Sequence, residues 1–272
     1  MKRFLVIGGT GVAGGAAIKA VRERFGADAD VTAVWYGKTG EPITIDGADR
    51  AVFGDISDPA CWDEVEAAAG NRFDYLFYAT AFGEVGFPSS SATPEQVADS
   101  NRLSFDPLVK LEERFDVGHC VSYSTFYNLA HQRVTYGAMA HSKSALENWT
   151  AKPGKSHRVC IRAGAFVSGS STAIKLLVRR NAAKLAAMDE PILQKLFSGV
   201  KPKDAVEAMQ AAVFQEERET YGDSGTDADG LVAAHLKMFD EPEAHFICVS
   251  GSRVWIDPEP QSPPLATPPT SV

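Results

Sequence analysis

Short apolar runs alternate with longer stretches of helical spacing along most of the chain. Residues 4–7 read Phe-Leu-Val-Ile with no polar position to mark a wet face, so they predict a strand buried on both sides. Residues 31–36, 51–53, 73–79, 118–122, 159–163 and 245–249 repeat that pattern in shorter or longer form. Between them, residues 13–24, 59–69, 94–115, 137–149, 203–215 and 231–239 carry helical spacing, with Asp58 placed to cap the second of these. Strand and helix in strict alternation predict one doubly wound α/β domain over residues 1–257, with a parallel sheet of about seven strands.

Two stretches break the rhythm. Residues 166–200 have no strand signal and read as helix and loop, predicting a helical flap over a substrate. Residues 216–230 read as an acidic loop. Residues 258–272 hold six prolines and little apolar mass, so they predict a disordered tail of polyproline character.

Composition narrows the function classes. Of the 272 residues, 44% are hydrophobic and 23% charged, ordinary proportions for a globular protein with a sizeable core. The formal charge of -8 gives no support to nucleic acid or an anionic membrane as partner, since both select a basic face, and neither is expected. No apolar run approaches the roughly 20 residues that span a bilayer. The N-terminal apolar run stops at Gly8 after four residues, shorter than the about 7–15 of a signal core, so cytoplasmic residence is expected. Cys61, Cys120, Cys160 and Cys248 are too scattered for a metal site or a disulfide framework and read as reduced packing residues.

The first strand runs into Gly8-Gly-Thr10-Gly11-Val12-Ala-Gly14. Gly8, Gly11 and Gly14 have the spacing of a tight turn whose amides, with those of the following helix, approach a pyrophosphate, which predicts dinucleotide binding. After the second strand the chain reads Trp35-Tyr36-Gly37-Lys38-Thr39, with no carboxylate before Glu41 to accept ribose hydroxyls. Lys38 can pair with a 2′-phosphate, favouring NADP(H) over NAD(H), or be a solvated loop lysine. Asp55, followed by Ile56, is placed to accept from an adenine amino group. Ala79, Thr80 and Ala81 end the fourth strand with small side chains, leaving room for ribose and nicotinamide.

Tyr136 and Lys143 stand seven positions apart, close to two helical turns, which predicts both on one helix face. A cation near a phenol favours phenolate, so the pair is a candidate proton donor for carbonyl or enolate oxygen. The basic stretch Lys175, Arg179, Arg180 and Lys184 reads either as a solvated face or as a contact for an acyl-carrier phosphopantetheine or an acidic carrier protein.

Taken together, these features resemble the short-chain dehydrogenase/reductase superfamily over about residues 3–255, and its Rossmann-type fold is what the resemblance implies. The usual motif places Tyr four before Lys. Here Met139 fills that slot, and Tyr136-x-x-Met139-x-x-x-Lys143 with Ser144-Ala-Leu-Glu147 is similar to the divergent branch that includes enoyl-acyl-carrier-protein reductases. Asp99-Ser-Asn101-Arg-Leu-Ser104-Phe105 and Ser122-Tyr123 resemble the same branch, whereas the glycine loop is nearer ordinary members.

On that resemblance Lys143 orients the nicotinamide ribose and Tyr136 stabilises the substrate oxygen. Tyr123, Ser122 or Ser124 supports that oxygen, and Asn101 holds a relay water. The backbone at Gly164 binds the nicotinamide carboxamide. The expected reaction is NAD(P)H-dependent reduction of an α,β-unsaturated thioester or ketone, possibly carrier-bound, with carbonyl reduction or a non-catalytic NADP(H)-binding regulator as the alternatives. The resemblance also implies a homodimer or homotetramer, with Phe105, Leu108, Leu111 and Trp149 as candidate contact residues.

Overall fold

The protein was analysed as a computed structural model, which describes residues 1–37, 43–166 and 169–265, without the side chains of residues 169, 170 and 173. Strands β1 (Lys2–Ile7), β2 (Ala29–Trp35), β3 (Arg50–Phe53), β4 (Arg72–Tyr78), β5 (Asp116–Thr125), β6 (His157–Ala163), β7 (Phe246–Ser250) and β8 (Arg253–Asp257) form one sheet. Their order is β3-β2-β1-β4-β5-β6-β7-β8, all parallel except β8. Helices α1 (Val12–Phe25), α2 (Pro59–Ala69), α3 (Pro94–Ser104), α4 (Asp106–Arg114), α5 (Ala130–Arg133) and α6 (Met139–Thr150) follow in chain order. Then come α7 (Gly169–Arg180), α8 (Ala182–Ala186), α9 (Pro191–Phe197), α10 (Pro202–Tyr221) and α11 (Ala228–Asp240).

Alternation along β1 shows why its sequence is apolar throughout. Phe4 and Val6 enter a core shared with Ala17, Val21, Leu231 and Met238 of α1 and α11. Leu5 and Ile7 point the other way, into a core shared with Val65, Leu111 and Leu146 of α2, α4 and α6. Strand order reverses between β1 and β4, so the crevice beyond their carboxyl ends is where a doubly wound sheet binds ligands.

The sheet has one strand more than the alternation predicts. β8 returns antiparallel through a turn at Gly251, which takes φ 58°. It is an edge strand with only partial burial, so it lacks the continuous apolar signature of the others. The long helix predicted over 94–115 is two, broken at Phe105 (φ -139°, ψ -53°) just before Pro107, whose missing N–H cannot continue the ladder. The acidic stretch 216–230 is helical as far as Tyr221, and Glu217 within it is buried.

Residues 258–265 are ordered against the domain. Gln261 donates its backbone amide to Glu147 and its side-chain amide to both Glu147 and the Thr125 carbonyl. The amide of Leu265 reaches Ser144, and Asn128 donates to the Pro263 carbonyl. The remainder of the expected disordered tail lies outside the described residues, as does Lys38. Leu108, Leu111 and Trp149, expected at a subunit interface, are packed inside the chain's own core, with Phe105 against them.

Candidate active site

The glycine loop owes its shape to crowding. Gly8 takes φ 80°, and a Cβ there would lie 2.7 Å from the Ala79 carbonyl oxygen. A Cβ on Gly14 would lie 2.2 Å from the Gly8 carbonyl oxygen, so helix and turn touch backbone to backbone. Gly8 and Gly9 donate to the Val34 carbonyl at 2.9 and 3.1 Å, and Gly11 to that of Gly8 at 2.9 Å. Gly8 and Gly14 therefore build the turn and do not themselves line the cavity.

Gly11 caps α1 without a side-chain contact, and no acidic residue stands in the first turn. The first amides of α1 have no partners within the helix and carry its positive dipole, so this terminus suits a diphosphate. Thr10, Gly11, Val12 and Ala13 line a cavity of about 520 Å³ together with Ala79, Thr80 and Ala81 beyond β4. A turn that no side chain can fill and a helix end without counter-charge fit a dinucleotide.

Asp55, which is not among the residues lining the cavity, commits Oδ1 to the Ser57 amide (2.9 Å) and hydroxyl (2.7 Å). Ile56 contributes packing: its side chain is in the core, and its carbonyl accepts from Trp62 at 2.8 Å. Asp58 caps α2 through the Ala60 amide, as its position predicts.

Tyr136 and Lys143 both face the cavity, but not from one helix. α6 begins at Met139, because Gly137 takes φ 50° and halts helical backbone; a Cβ on it would sit 2.5 Å from the Glu84 carbonyl oxygen. Tyr136 enters from the preceding turn. Met139, one turn before Lys143, also lines the cavity.

Lys143 is buried and donates to the Tyr123 carbonyl at 2.9 Å. Burial lowers its pKa to about 8, with Cys160 and Glu147 opposing. Burial alone raises the Tyr136 pKa above the usual phenol value. No charge, that of Lys143 included, enters this shift, so the phenolate-favouring effect expected from the spacing is not seen.

The supporting residues divide by the period of the strand. Tyr123 points to the opposite face of the sheet, where its hydroxyl lies 2.7 Å from His235 Nε2. His235 Nδ1 sits 2.7 Å from the Leu231 carbonyl and must donate to it, so Nε2 accepts and Tyr123 donates. The phenol of Tyr123 is thus removed from chemistry, and only its backbone serves the site. Ser122 is fully buried with its hydroxyl 3.3 Å from the Val159 carbonyl, away from the cavity. Ser124 does line the cavity, donating at 2.6 Å to Glu147. Asn101 accepts from Ser142 at 2.8 Å and is not among the lining residues, so the expected relay position is not met.

Gly164 lines the cavity, but the amides at this turn are engaged. Gly164 donates to Val249 at 2.8 Å and Ala165 to Glu217 Oε2 at 2.9 Å, so a carboxamide expected at this backbone would meet its carbonyl oxygens and not these amides. A Cβ on Gly164 would lie 1.9 Å from Glu217 Oε1, so only glycine fits beside that carboxylate.

Three groups escaped the sequence reading. Glu147, fully buried, accepts from Ser124, from Arg162 at 2.7 Å and from Gln261, joining the lysine-bearing helix to β5, β6 and the tail. Glu217 anchors the turn after β6. Val206, Met209, Gln210 and Val213 of α10 form one wall of the cavity, facing Ile174 and Val178 of the flap. Their helical spacing marks an apolar face, but nothing in it says what that face covers.

The family comparison agrees with this geometry. Residues 4–156 match the NAD dependent epimerase/dehydratase family. The chain belongs to that family. It is an NAD(P)-dependent enzyme of the short-chain dehydrogenase/reductase superfamily. Among solved structures it is similar to the KRED1-Pglu enzyme, at TM-score 0.55 and 16% identity over 88% of this chain and 94% of that one. It is also similar to the short-chain dehydrogenase/reductase YIR035C from Saccharomyces cerevisiae, at TM-score 0.56 and 14% identity over 88% and 90%. These likenesses are of fold. No curated protein matches the sequence.

Proposed function

We propose that the enzyme reduces the C=C bond of an α,β-unsaturated thioester or ketone, with NADPH as hydride donor. The observation that carries this reading is the placement of Tyr136. The position one turn before Lys143 holds Met139, which has no proton to give, and the phenol comes instead from the turn ahead of α6. A donor set back from the ribose-binding lysine suits conjugate addition, in which charge collects on an oxygen three bonds from the reduced carbon. In carbonyl reduction the oxygen is one bond away.

A dinucleotide held in the cradle by the first turn of α1 would supply the hydride that the β-carbon accepts. Lys143, held by the Tyr123 carbonyl, keeps an ammonium against the ribose hydroxyls. Tyr136 donates its hydrogen bond to the enolate oxygen, and its raised pKa keeps the phenol protonated for that task. A proton from solvent water, added at the α-carbon as the enolate C=C becomes a single bond, completes the reduction. The cavity walls from α7 and α10 are largely apolar, which suits an acyl or alkyl body.

The preference for NADPH is supported by the absence of a carboxylate in residues 35–40, where one would repel a 2′-phosphate. Cofactor oxidation with a crotonyl thioester against an acetoacetyl thioester tests the reading. Turnover confined to the keto compound overturns it in favour of carbonyl reduction. Binding of nucleotide with no hydride transfer to either substrate class favours a regulator.

A further inference from the structure

Helix α7 has two differently furnished sides. Ile174, Lys175 and Val178 line the active-site cavity. The outward side carries Leu176, Arg179 and Arg180, which border a separate open groove of about 630 Å³ completed by Lys201, Pro202 and Lys203 at the start of α10. Leu176, in the groove, is 51% exposed, and its chain neighbour Leu177 (37%) and Val200 (40%), which precedes Lys201, are also left in water. Lys203 shares its charge with Glu207 at 3.8 Å, and Asp204 adjoins it. Arg179, Arg180 and Lys201 have no carboxylate partner among the described residues.

We propose that this face docks the enzyme on an anionic membrane surface, the aliphatic side chains entering the interface and the cations meeting lipid phosphates and carboxylates. Basic residues ringing exposed leucines are the composition that lies in a bilayer interface. The groove has no aromatic side chain on which a nucleobase could stack, which counts against nucleic acid.

The whole-chain charge of -8 does not oppose docking, because charges beyond about 8 Å are largely screened at physiological ionic strength. Local charge decides, and here it is positive. Among the described residues no helix is long and apolar enough to cross a membrane, so attachment would be peripheral. Docking stands independently of the reductase reading. If both hold, the helix walling the cavity lies on the bilayer, and an apolar substrate has a short path from lipid to Tyr136.

The test is co-sedimentation of the full chain with phosphatidylcholine vesicles, with and without one-quarter phosphatidylserine. The expected result is binding only with phosphatidylserine, weakened at least ten-fold by Arg179→Glu with Arg180→Glu and by high salt. Leu176→Ser with Val200→Ser should also weaken it several-fold, with unchanged circular dichroism. No binding to the anionic vesicles overturns the proposal. So does binding that ignores the aliphatic substitutions, since the face would then be a plain polyanion site, as would retention on single-stranded DNA in place of vesicles.

Discussion

Lys143 donates to the carbonyl oxygen of Tyr123, 2.9 Å away, while the phenol of that same tyrosine turns to the other side of the sheet and bonds His235. One residue thus serves the active site with its backbone and the core with its side chain. The two tyrosines of the site should therefore separate cleanly. On the proposed mechanism Tyr136→Phe removes the hydrogen bond to the enolate oxygen and is expected to lower kcat by about 10²–10³, with little change in stability. Tyr123→Phe leaves the buried Nε2 of His235 unpaired and is expected to cost about 1–3 kcal/mol of stability while kcat changes little. Steady-state kinetics and urea unfolding of both variants check this; a large kcat loss in Tyr123→Phe would return its phenol to the mechanism.

The depressed Lys143 pKa gives two pH profiles. On the proposed mechanism the ammonium holds the ribose, so nucleotide affinity should fall as pH rises through about 8. Stability should move the other way. Between about 8 and the ordinary lysine value of 10.5 the unfolded chain keeps its proton and the folded chain has lost it, so unfolding free energy rises with pH across that window. The gain is at most about 3 kcal/mol. Measured as the difference between the native enzyme and Lys143→Met, it should be flat below about pH 7 and grow in favour of the native enzyme above 8. A flat difference throughout would show that the lysine is not buried as described.

Neighbouring glycines in the loop should respond oppositely to alanine. A Cβ at Gly14 meets the Gly8 carbonyl oxygen at 2.2 Å, whereas one at Gly15 meets nothing nearer than 4.0 Å. Gly14→Ala must push α1 off the turn and is expected to weaken NADPH binding at least ten-fold. Gly15→Ala should keep binding and stabilise α1 by up to about 1 kcal/mol, the usual helical gain of alanine over glycine. Calorimetric titration and thermal unfolding distinguish them. Equal loss in both would mean that the loop does not cradle the nucleotide.

How far the sequence discloses this molecule follows the range of the forces involved. Residues 4–7 announce β1 because both faces of the strand are dry, whereas Arg253–Asp257 conceals β8 because an edge strand is only partly covered. Asp58 is legible as a cap because its partner, Ala60, is two residues away. The seven-residue spacing of Tyr136 and Lys143 is legible, and both reach the cavity. The helix expected to join them is not there, since a single positive φ at Gly137 leaves no mark on hydrophobic periodicity. Glu147 and Gln261 lie 114 residues apart, and neither carries a local signal that it will find the other. The proline-rich composition of the tail speaks for disorder only until a buried acceptor supplies the bonds that order residues 258–265.

That acceptor makes the tail a structural member of the site. Glu147 has no exposure, and its two oxygens are shared among Ser124, Arg162 and Gln261, with Arg162 also bound to Asp257 at 2.7 Å. Removing one donor from a buried carboxylate leaves a desolvated charge short of a partner, so Gln261→Ala is expected to cost about 1–3 kcal/mol. Glu147→Gln leaves the buried Arg162 with only the partly exposed Asp257 as counter-charge and should cost more, about 3 kcal/mol. Because Glu147 lies one turn beyond Lys143 and holds Ser124 at the cavity wall, Gln261→Ala should also lower kcat several-fold while NADPH affinity, set at α1, stays within two-fold. Urea unfolding with parallel kinetics reads both effects. A Gln261→Ala enzyme of native stability would show that the tail merely rests on the domain.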